Sequence, residues 1–173
     1  MHALVSERKR DNEAARRLYE RCGLRVECEG WAVEMDWSSA DNLLDDSVAV
    51  VAFIPDVQQE LATCARFGLE PERLARRRAS GHIVPCALRE GDSIAGFASF
   101  DPASPGAFPF CVARPGLARS LLASMKRHAH LASFGFVRLM VLGDGDLVAV
   151  LRGAGAEVTF ELVQMGAPLG EPT

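Results

Sequence analysis

The order in which strand-like and helical segments alternate constrains the fold more than any other feature of this sequence. Between residues 47 and 167, apolar residues recur at every second position in six short segments and at helical spacing in four others. The order is strand, two helices, three strands, helix, strand, helix and strand. Helices of this kind must cover the faces of the sheet that the strands form. We therefore expect an α/β (α+β) fold, with one mixed, mostly antiparallel sheet flanked by helices.

Glycine and proline mark several boundaries of these segments. Residues 82–89 and 93–100 lie on either side of Gly91 and predict a hairpin. Pro71 stands where a helix can begin without losing a hydrogen bond. Pro109 predicts an interruption of the strand expected over 107–114, because it has no N–H to donate.

Residues 1–37 form a smaller strand–helix–strand unit. A strand is expected over 3–6 and a helix after Asn12, whose side chain can accept hydrogen bonds from the first turn. Gly23 is expected to end the helix, and a strand should follow over 25–37. Residues 38–46 are polar and acidic and are typical of a linker. We divide the chain into a first unit (1–37), a linker (38–46), a main domain (47–167) and a tail (168–173).

A short internal repeat connects the two units. Residues 18–26 resemble residues 150–158, and the strand that follows each segment ends in methionine, at Met35 and Met165. The last helix of the main domain is expected to be capped by Asp146. The repeat suggests that residues 1–37 copy the end of the main domain, although two short helix–strand units can also resemble each other by chance.

Composition excludes several classes of function. The net charge is −4, which gives no reason to expect a nucleic-acid partner or an anionic membrane. No apolar run approaches the roughly 18 residues that span a bilayer. The five cysteines are scattered and the four histidines lack metal-binding spacing, so we expect a cytoplasmic protein with reduced thiols and no bound metal.

The first unit carries a specific motif. Asn12, Ala15, Tyr19 and Gly23 follow the pattern Asn-x-x-Ala-x-x-x-Tyr-x-x-x-Gly. This pattern resembles the late helix of the GNAT N-acetyltransferase superfamily. The resemblance implies that Asn12 contacts the pantetheine arm of acetyl-coenzyme A and that Tyr19, the only tyrosine, protonates the departing thiolate. The alternative is that Tyr19 simply packs on the apolar face of its helix.

A second part of the resemblance lies in the main domain. Residues 113–118 read Ala-Arg-Pro-Gly-Leu-Ala, similar to the family's acyl-coenzyme A loop Gln/Arg-x-x-Gly-x-Gly/Ala, with Ala113 at its first position. Amides at a helix start favour a diphosphate, and glycine lets it approach closely. The alternative is an ordinary strand-to-helix turn. The resemblance implies that acetyl-coenzyme A is bound by Asn12, Val112, Arg114, Gly116, Leu117, Ala118, Arg119 and Ser120.

The main domain departs from the family in its own late helix. Aligning Gly155 with Gly23 places Asp144 at the position of Asn12 and Leu151 at that of Tyr19. The main domain therefore lacks the tyrosine acid. The general base cannot be assigned; Glu90, Asp92 and Asp144 are candidates by residue type only.

Two functions follow from the resemblance. The first is transfer of acetyl from acetyl-coenzyme A to a small-molecule or peptide amine; the alternative is a silent GNAT-like module that binds acyl-coenzyme A or supports a catalytic neighbour. Since the tyrosine and the glycine loop lie in different units, we expect little or no activity from this chain. A tandem protein whose first module lacks its beginning would explain the division, and a homodimer that brings Tyr19 to a partner's loop is a further alternative. Residues 76–78 are expected on a solvated helix face, with a phosphate of coenzyme A or an acidic partner as the alternative ligand.

Overall fold

The computed structural model describes residues 13–46, 50–130 and 133–166. The strand expected over 3–6, the expected ligand contact Asn12 and the tail 168–173 lie outside the described residues. The helices are α1 (Glu13–Arg21), α2 (Val57–Phe67), α3 (Pro71–Ala79), α4 (Ala118–Lys126) and α5 (Gly145–Gly153). The strands are β1 (Arg25–Asp36), β2 (Val50–Phe53), β3 (Val84–Glu90), β4 (Ser93–Asp101), β5 (Gly106–Val112), β6 (Phe136–Leu142) and β7 (Glu157–Gly166).

The seven strands form one sheet in the order β2-β3-β4-β5-β6-β1-β7. Every neighbouring pair is antiparallel except β5 and β6, which are parallel. The predicted mixed, mostly antiparallel sheet is therefore confirmed. The hairpin between β3 and β4 turns at Gly91, whose φ of 58° suits glycine.

Strand β1 lies inside the sheet, between β6 and β7. Met35 pairs with Val137 on one side, and Trp31 pairs with both Val141 of β6 and Glu161 of β7. Residues 25–36 of the first unit therefore add a strand to the sheet of the main domain. The sheet of the main domain is continuous only because β1 lies between β6 and β7 and pairs with both. The division of the chain at residues 37 and 47 stays a prediction.

Helices cover both faces of the sheet, as expected. The apolar core consists of two clusters, one on each face of the sheet. Successive side chains of β3 point to opposite faces, so Cys86 and Leu88 belong to one cluster and Ala87 to the other. The larger cluster contains the buried residues of α4 and α5, whereas the smaller contains Cys64 of α2 and Leu74 of α3. None of the helices in the described ranges combines the length and apolarity that crossing a bilayer requires.

The segment expected to be a linker packs against the core. It forms a single 3-10 turn over Ser39–Asn42, and the side chains of Ala40 and Leu43 are buried. Lys126 of α4 donates to the carbonyl oxygen of Trp37 at 3.2 Å and contacts the Asp41 carboxylate at 3.3 Å. Although the segment is acidic overall, its two buried apolar residues, Ala40 and Leu43, pack it against the core.

Two local predictions were wrong. The last helix is capped by Asp144, whose Oδ1 accepts a hydrogen bond from the Leu147 amide at 2.9 Å, and not by Asp146. Arg77 and Arg78 do not belong to a fully solvated face. Arg78 reaches back to Glu60 of α2 at 2.7 Å, and Arg77 donates to Ser99 of β4 at 3.2 Å.

Candidate functional site

An opening between β5 and β6 is the main irregularity of the sheet. The two strands pair only at Gly106 with Arg138 and Ala107 with Leu139. Beyond these residues the facing edges carry backbone groups that belong to no shared ladder. Parallel neighbours with unpaired facing edges can accept an extended ligand between them, since each N–H and C=O needs a partner.

A bulge in β5 explains where the opening starts. Phe108 and Pro109 of β5 together oppose the single residue Ser99 of β4, between the pairs Phe100–Ala107 and Ala98–Phe110. A bulge bends its strand and increases its twist, and Pro109 has no N–H to extend a ladder. The predicted interruption at Pro109 is therefore a bulge within an interior strand, and it follows directly on Ala107, the last residue of β5 that pairs with β6.

The predicted loop residues lie at the carboxyl end of β5, beside this opening. Val112 ends the strand, a 3-10 turn runs over Pro115–Leu117, and α4 begins at Ala118. The side chains of Val112, Leu117 and Ala118 are buried in the core. The amides of Leu117 and Ala118 donate to the carbonyl oxygens of Arg114 and Pro115 within the turn. Arg114 and Ser120, by contrast, are partly exposed.

Residues 43–46, here named the acidic strap, lie across this loop. Arg114 Nε contacts Asp46 Oδ2 at 3.1 Å, and Arg114 Nη2 donates to the Asp46 carbonyl oxygen at 3.4 Å. The Asp46 amide in turn donates to the Gly116 carbonyl oxygen at 3.4 Å. A Cβ on Gly116 would collide with the Asp46 carboxylate. In this structure Gly116 therefore admits a carboxylate of the chain itself at the position expected for a ligand anion.

Two further loop residues also bind the strap. Arg119 Nη1 donates to the carbonyl oxygen of Leu43 at 3.4 Å, and Ser120 Oγ donates to Asp45 Oδ1 at 3.3 Å. With Arg114 and Gly116, four of the predicted ligand contacts are thus occupied by one acidic segment. The strap and the loop lie about 70 residues apart in the sequence, so their contact could not be predicted from a local pattern.

Arg114 also forms a bidentate pair with Glu90 of β3. Its Nη1 and Nη2 donate to the two carboxylate oxygens at 2.9 and 2.7 Å. These hydrogen bonds hold the pKa of Glu90 below its ordinary value and raise that of Arg114. An ionised carboxylate whose two oxygens are taken by arginine is poorly placed to accept a proton from an amine, which argues against Glu90 as a general base.

Tyr19 and Leu151 occupy matching positions in the two helix–strand units. The Leu24 amide donates to the Tyr19 carbonyl oxygen at 3.0 Å, just as the Ala156 amide donates to that of Leu151 at 3.0 Å. Leu151 is 0% exposed in the core, while Tyr19 is half-buried. Across the described ranges, no hydrogen bond, ion pair or ring contact joins Tyr19 to residues 112–120.

Cys111 of β5 is a residue of the opening that sequence reasoning missed. Burial, together with the nearby charge of Asp144, raises the pKa of its thiol to about 12. Cys111 is therefore a neutral thiol at physiological pH and is not a nucleophile.

No protein-family model matches the sequence, and no curated protein matches it. Solved structures do. A GCN5-related N-acetyltransferase from Sphaerobacter thermophilus is 18% identical over 91% of this chain, with a TM-score of 0.53. Another from Kribbella flavida is 14% identical over 86%, with a TM-score of 0.50. The chain has the GNAT fold.

A conserved protein of unknown function from Staphylococcus epidermidis has the same arrangement, with 12% identity over 92% of this chain, 68% of its own chain and a TM-score of 0.62. This chain spans 56% and 39% of the two acetyltransferases.

Within this GNAT fold the expected site residues fall into separate groups. Arg114, Gly116, Arg119 and Ser120 come together at the end of the opening, under the acidic strap. Tyr19 makes no described contact with them. Leu151, at the position that corresponds to Tyr19 in the internal repeat, is buried in the core.

Proposed function

We propose that the opening between β5 and β6 binds acetyl-coenzyme A, and that the reaction for which this fold is suited is acetyl transfer to a primary amine. The observation that carries the proposal is the end of β5–β6 pairing after Ala107 and Leu139, next to the start of α4. The unpaired strand edges can bond the amides of a pantetheine arm. The positive end of the α4 dipole favours the diphosphate.

A second candidate, binding of acyl-coenzyme A without turnover, is favoured by one observation. Leu151 is fully buried at the position that corresponds to Tyr19. Its isobutyl group can neither give nor take a proton. Under this candidate, the chain would hold the ligand or support a neighbouring catalytic module.

The acidic strap competes with the ligand under either candidate. Asp46 binds the same arginine and lies against the same glycine that a diphosphate needs. Both are anions, so a bound diphosphate must displace the Asp46 carboxylate or be repelled by it. We infer that the strap lowers the affinity of the loop for coenzyme A.

Calorimetric titration of coenzyme A into matched variants tests the proposal. Asp46→Asn should tighten binding about fivefold, which corresponds to the roughly 1 kcal/mol that a half-exposed ion pair contributes. Asp41→Asn is the control, because it removes the same charge from the same segment but faces Lys126, outside the loop.

Weak binding by the wild type, tighter binding by Asp46→Asn and little change in Asp41→Asn would support the site. If millimolar coenzyme A produces no heat with any of the three proteins, the opening does not bind coenzyme A and the proposal fails.

A further inference from the structure

A basic cavity lies on the α3 side of the sheet, away from the acidic strap. It has a volume of about 340 Å³. Its polar lining consists of Arg73, Arg76, Arg77, Ser80, His82 and Asp101. We name it the arginine cavity. Three guanidinium groups in one cavity are notable because the chain as a whole is acidic, with a net charge of −4.

The positive charge of the cavity is only partly offset by nearby carboxylates, since Glu70 acts on Arg73 and Asp101 acts on Arg77. Asp101 is its one carboxylate; its Oδ1 accepts from the Ala103 amide at 3.0 Å, and its Oδ2 lies 3.5 Å from His82 Nε2. Across residues 13–46, 50–130 and 133–166, neither Arg73 nor Arg76 has an ion pair. The neighbouring Arg78, by contrast, points away and pairs with Glu60 at 2.7 Å.

The helix places these like charges on one face. Arg76 and Arg77 follow Arg73 by three and four residues, the spacing at which side chains on a helix are neighbours and like charges destabilise it. Burial lowers the pKa of both Arg73 and Arg77, so the protein environment itself disfavours their charge. A bound anion would offset both effects.

Aromatic and polar contacts hold two of the guanidinium groups in place. Arg73 Cζ lies 4.3 Å from the centroid of the Phe108 ring, and Arg77 Cζ lies 5.8 Å from it. Arg77 Nε also donates to the buried Ser99 hydroxyl at 3.2 Å. A guanidinium stacked on a ring keeps the donors at its edge available for a planar oxyanion.

The cavity also has a defined relation to the sheet. Phe108, the ring beneath Arg73, is a bulge residue of β5 and directly follows Ala107, the last residue of β5 that pairs with β6. The arginine cavity therefore adjoins the point at which the two strands separate. A ligand with an acidic group in the cavity would lie beside the opening.

We propose that the arginine cavity binds the oxyanion of a small ligand, a carboxylate or a phosphate. Arg73 and Arg76 supply guanidinium groups that form no ion pair within the described parts of the chain, and Arg77, which donates to Ser99, supplies a third set of donors. This site is separate from the coenzyme A loop, and its test does not depend on coenzyme A binding.

The test is a two-dimensional ¹H–¹⁵N NMR titration of the full chain with inorganic phosphate and, separately, with succinate, at constant ionic strength. We expect saturable shifts of the amides of α3 and of residues 82–83 and 101 with at least one anion. The anion that binds more tightly identifies the phosphate or the carboxylate class.

Variants give the titration its specificity. Arg73→Gln and Arg76→Gln should each weaken binding about tenfold, as expected for loss of a charge-assisted hydrogen bond. Arg66→Gln is the matched control, because Arg66 is an exposed arginine of α2 outside the cavity. Circular dichroism identifies any variant that has lost its helix content, and Gln is a good helix former at these positions.

Three results would overturn the proposal: no saturable shift with either anion at millimolar concentration, equal weakening in Arg66→Gln, or shifts confined to residues 112–120. The last result would place the anion at the start of α4 and would leave the coenzyme A proposal standing.

Discussion

A chain shortened by residues 1–36 is expected to lose its cooperative fold. Among the described residues, β7 pairs with β1 alone, and β6 has only two paired residues with β5 on its other side. Removal of β1 would leave both strands with open edges and would expose apolar core. Thermal unfolding followed by circular dichroism should show no cooperative transition, and gel filtration should show aggregated protein.

A matched pair of substitutions within β1 measures how far the stability of the fold depends on this strand, without a deletion. Val33 is 0% exposed and belongs to the core, while Val26, on the same strand, is 41% exposed. Val33→Ala should lower the free energy of unfolding by about 2 kcal/mol, and Val26→Ala by less than about 0.5 kcal/mol. Equal effects, or a shortened chain that unfolds cooperatively, would show that β1 is dispensable.

The second large effect concerns catalysis. We expect the chain alone to release no thiol above background from acetyl-coenzyme A with any of a panel of amines. Loss of a general acid costs about 10²- to 10⁴-fold in rate, and the residue that corresponds to Tyr19 in the main domain is the buried Leu151. Within the described parts of the chain, no hydrogen bond, ion pair or ring contact joins Tyr19 to the loop.

Tyr19→Phe provides the control for this assay. If the chain is silent, the variant and the wild type should give the same background rate, and both should keep the same melting temperature. Robust turnover that disappears in Tyr19→Phe would contradict the account. It would show that Tyr19 reaches the loop, within one chain or between two copies.

Local features of the fold could be predicted because local chemistry decides them. Asp56 and Gln59 form a capping box at the start of α2, and Gly155, at a φ of 101°, follows the end of α5. The hairpin at Gly91 and the bulge at Pro109 follow from backbone freedom and from a missing N–H. Each of these signals lies within a few residues of the structure that it determines.

Long-range features could not be predicted in the same way. Alternation along β1 identifies a strand, but the pairing of Met35 with Val137 depends on which edges are left open after the rest of the chain folds. The Asp46–Arg114 contact joins residues that are far apart in sequence. Arg77 was expected in solvent, because nothing near it in the sequence identifies Ser99 as its partner.

The same distinction applies to the candidate site. The loop residues from Val112 to Ser120 were predicted from a local pattern, and the structure places them together beside the opening. Their contacts with the acidic strap are tertiary effects, because the two segments are far apart in sequence. The sequence therefore indicates where an anion could bind, while the structure shows which charges oppose it.

An NMR titration of the chain with coenzyme A tests the central claim, that the opening between β5 and β6 is the ligand cleft. The account predicts saturable amide shifts in residues 108–120 of β5 and its loop, in residues 140–142 of β6, and in the acidic strap as it is displaced. Shifts that are absent at millimolar coenzyme A, or that leave β5 and β6 unchanged, would contradict it.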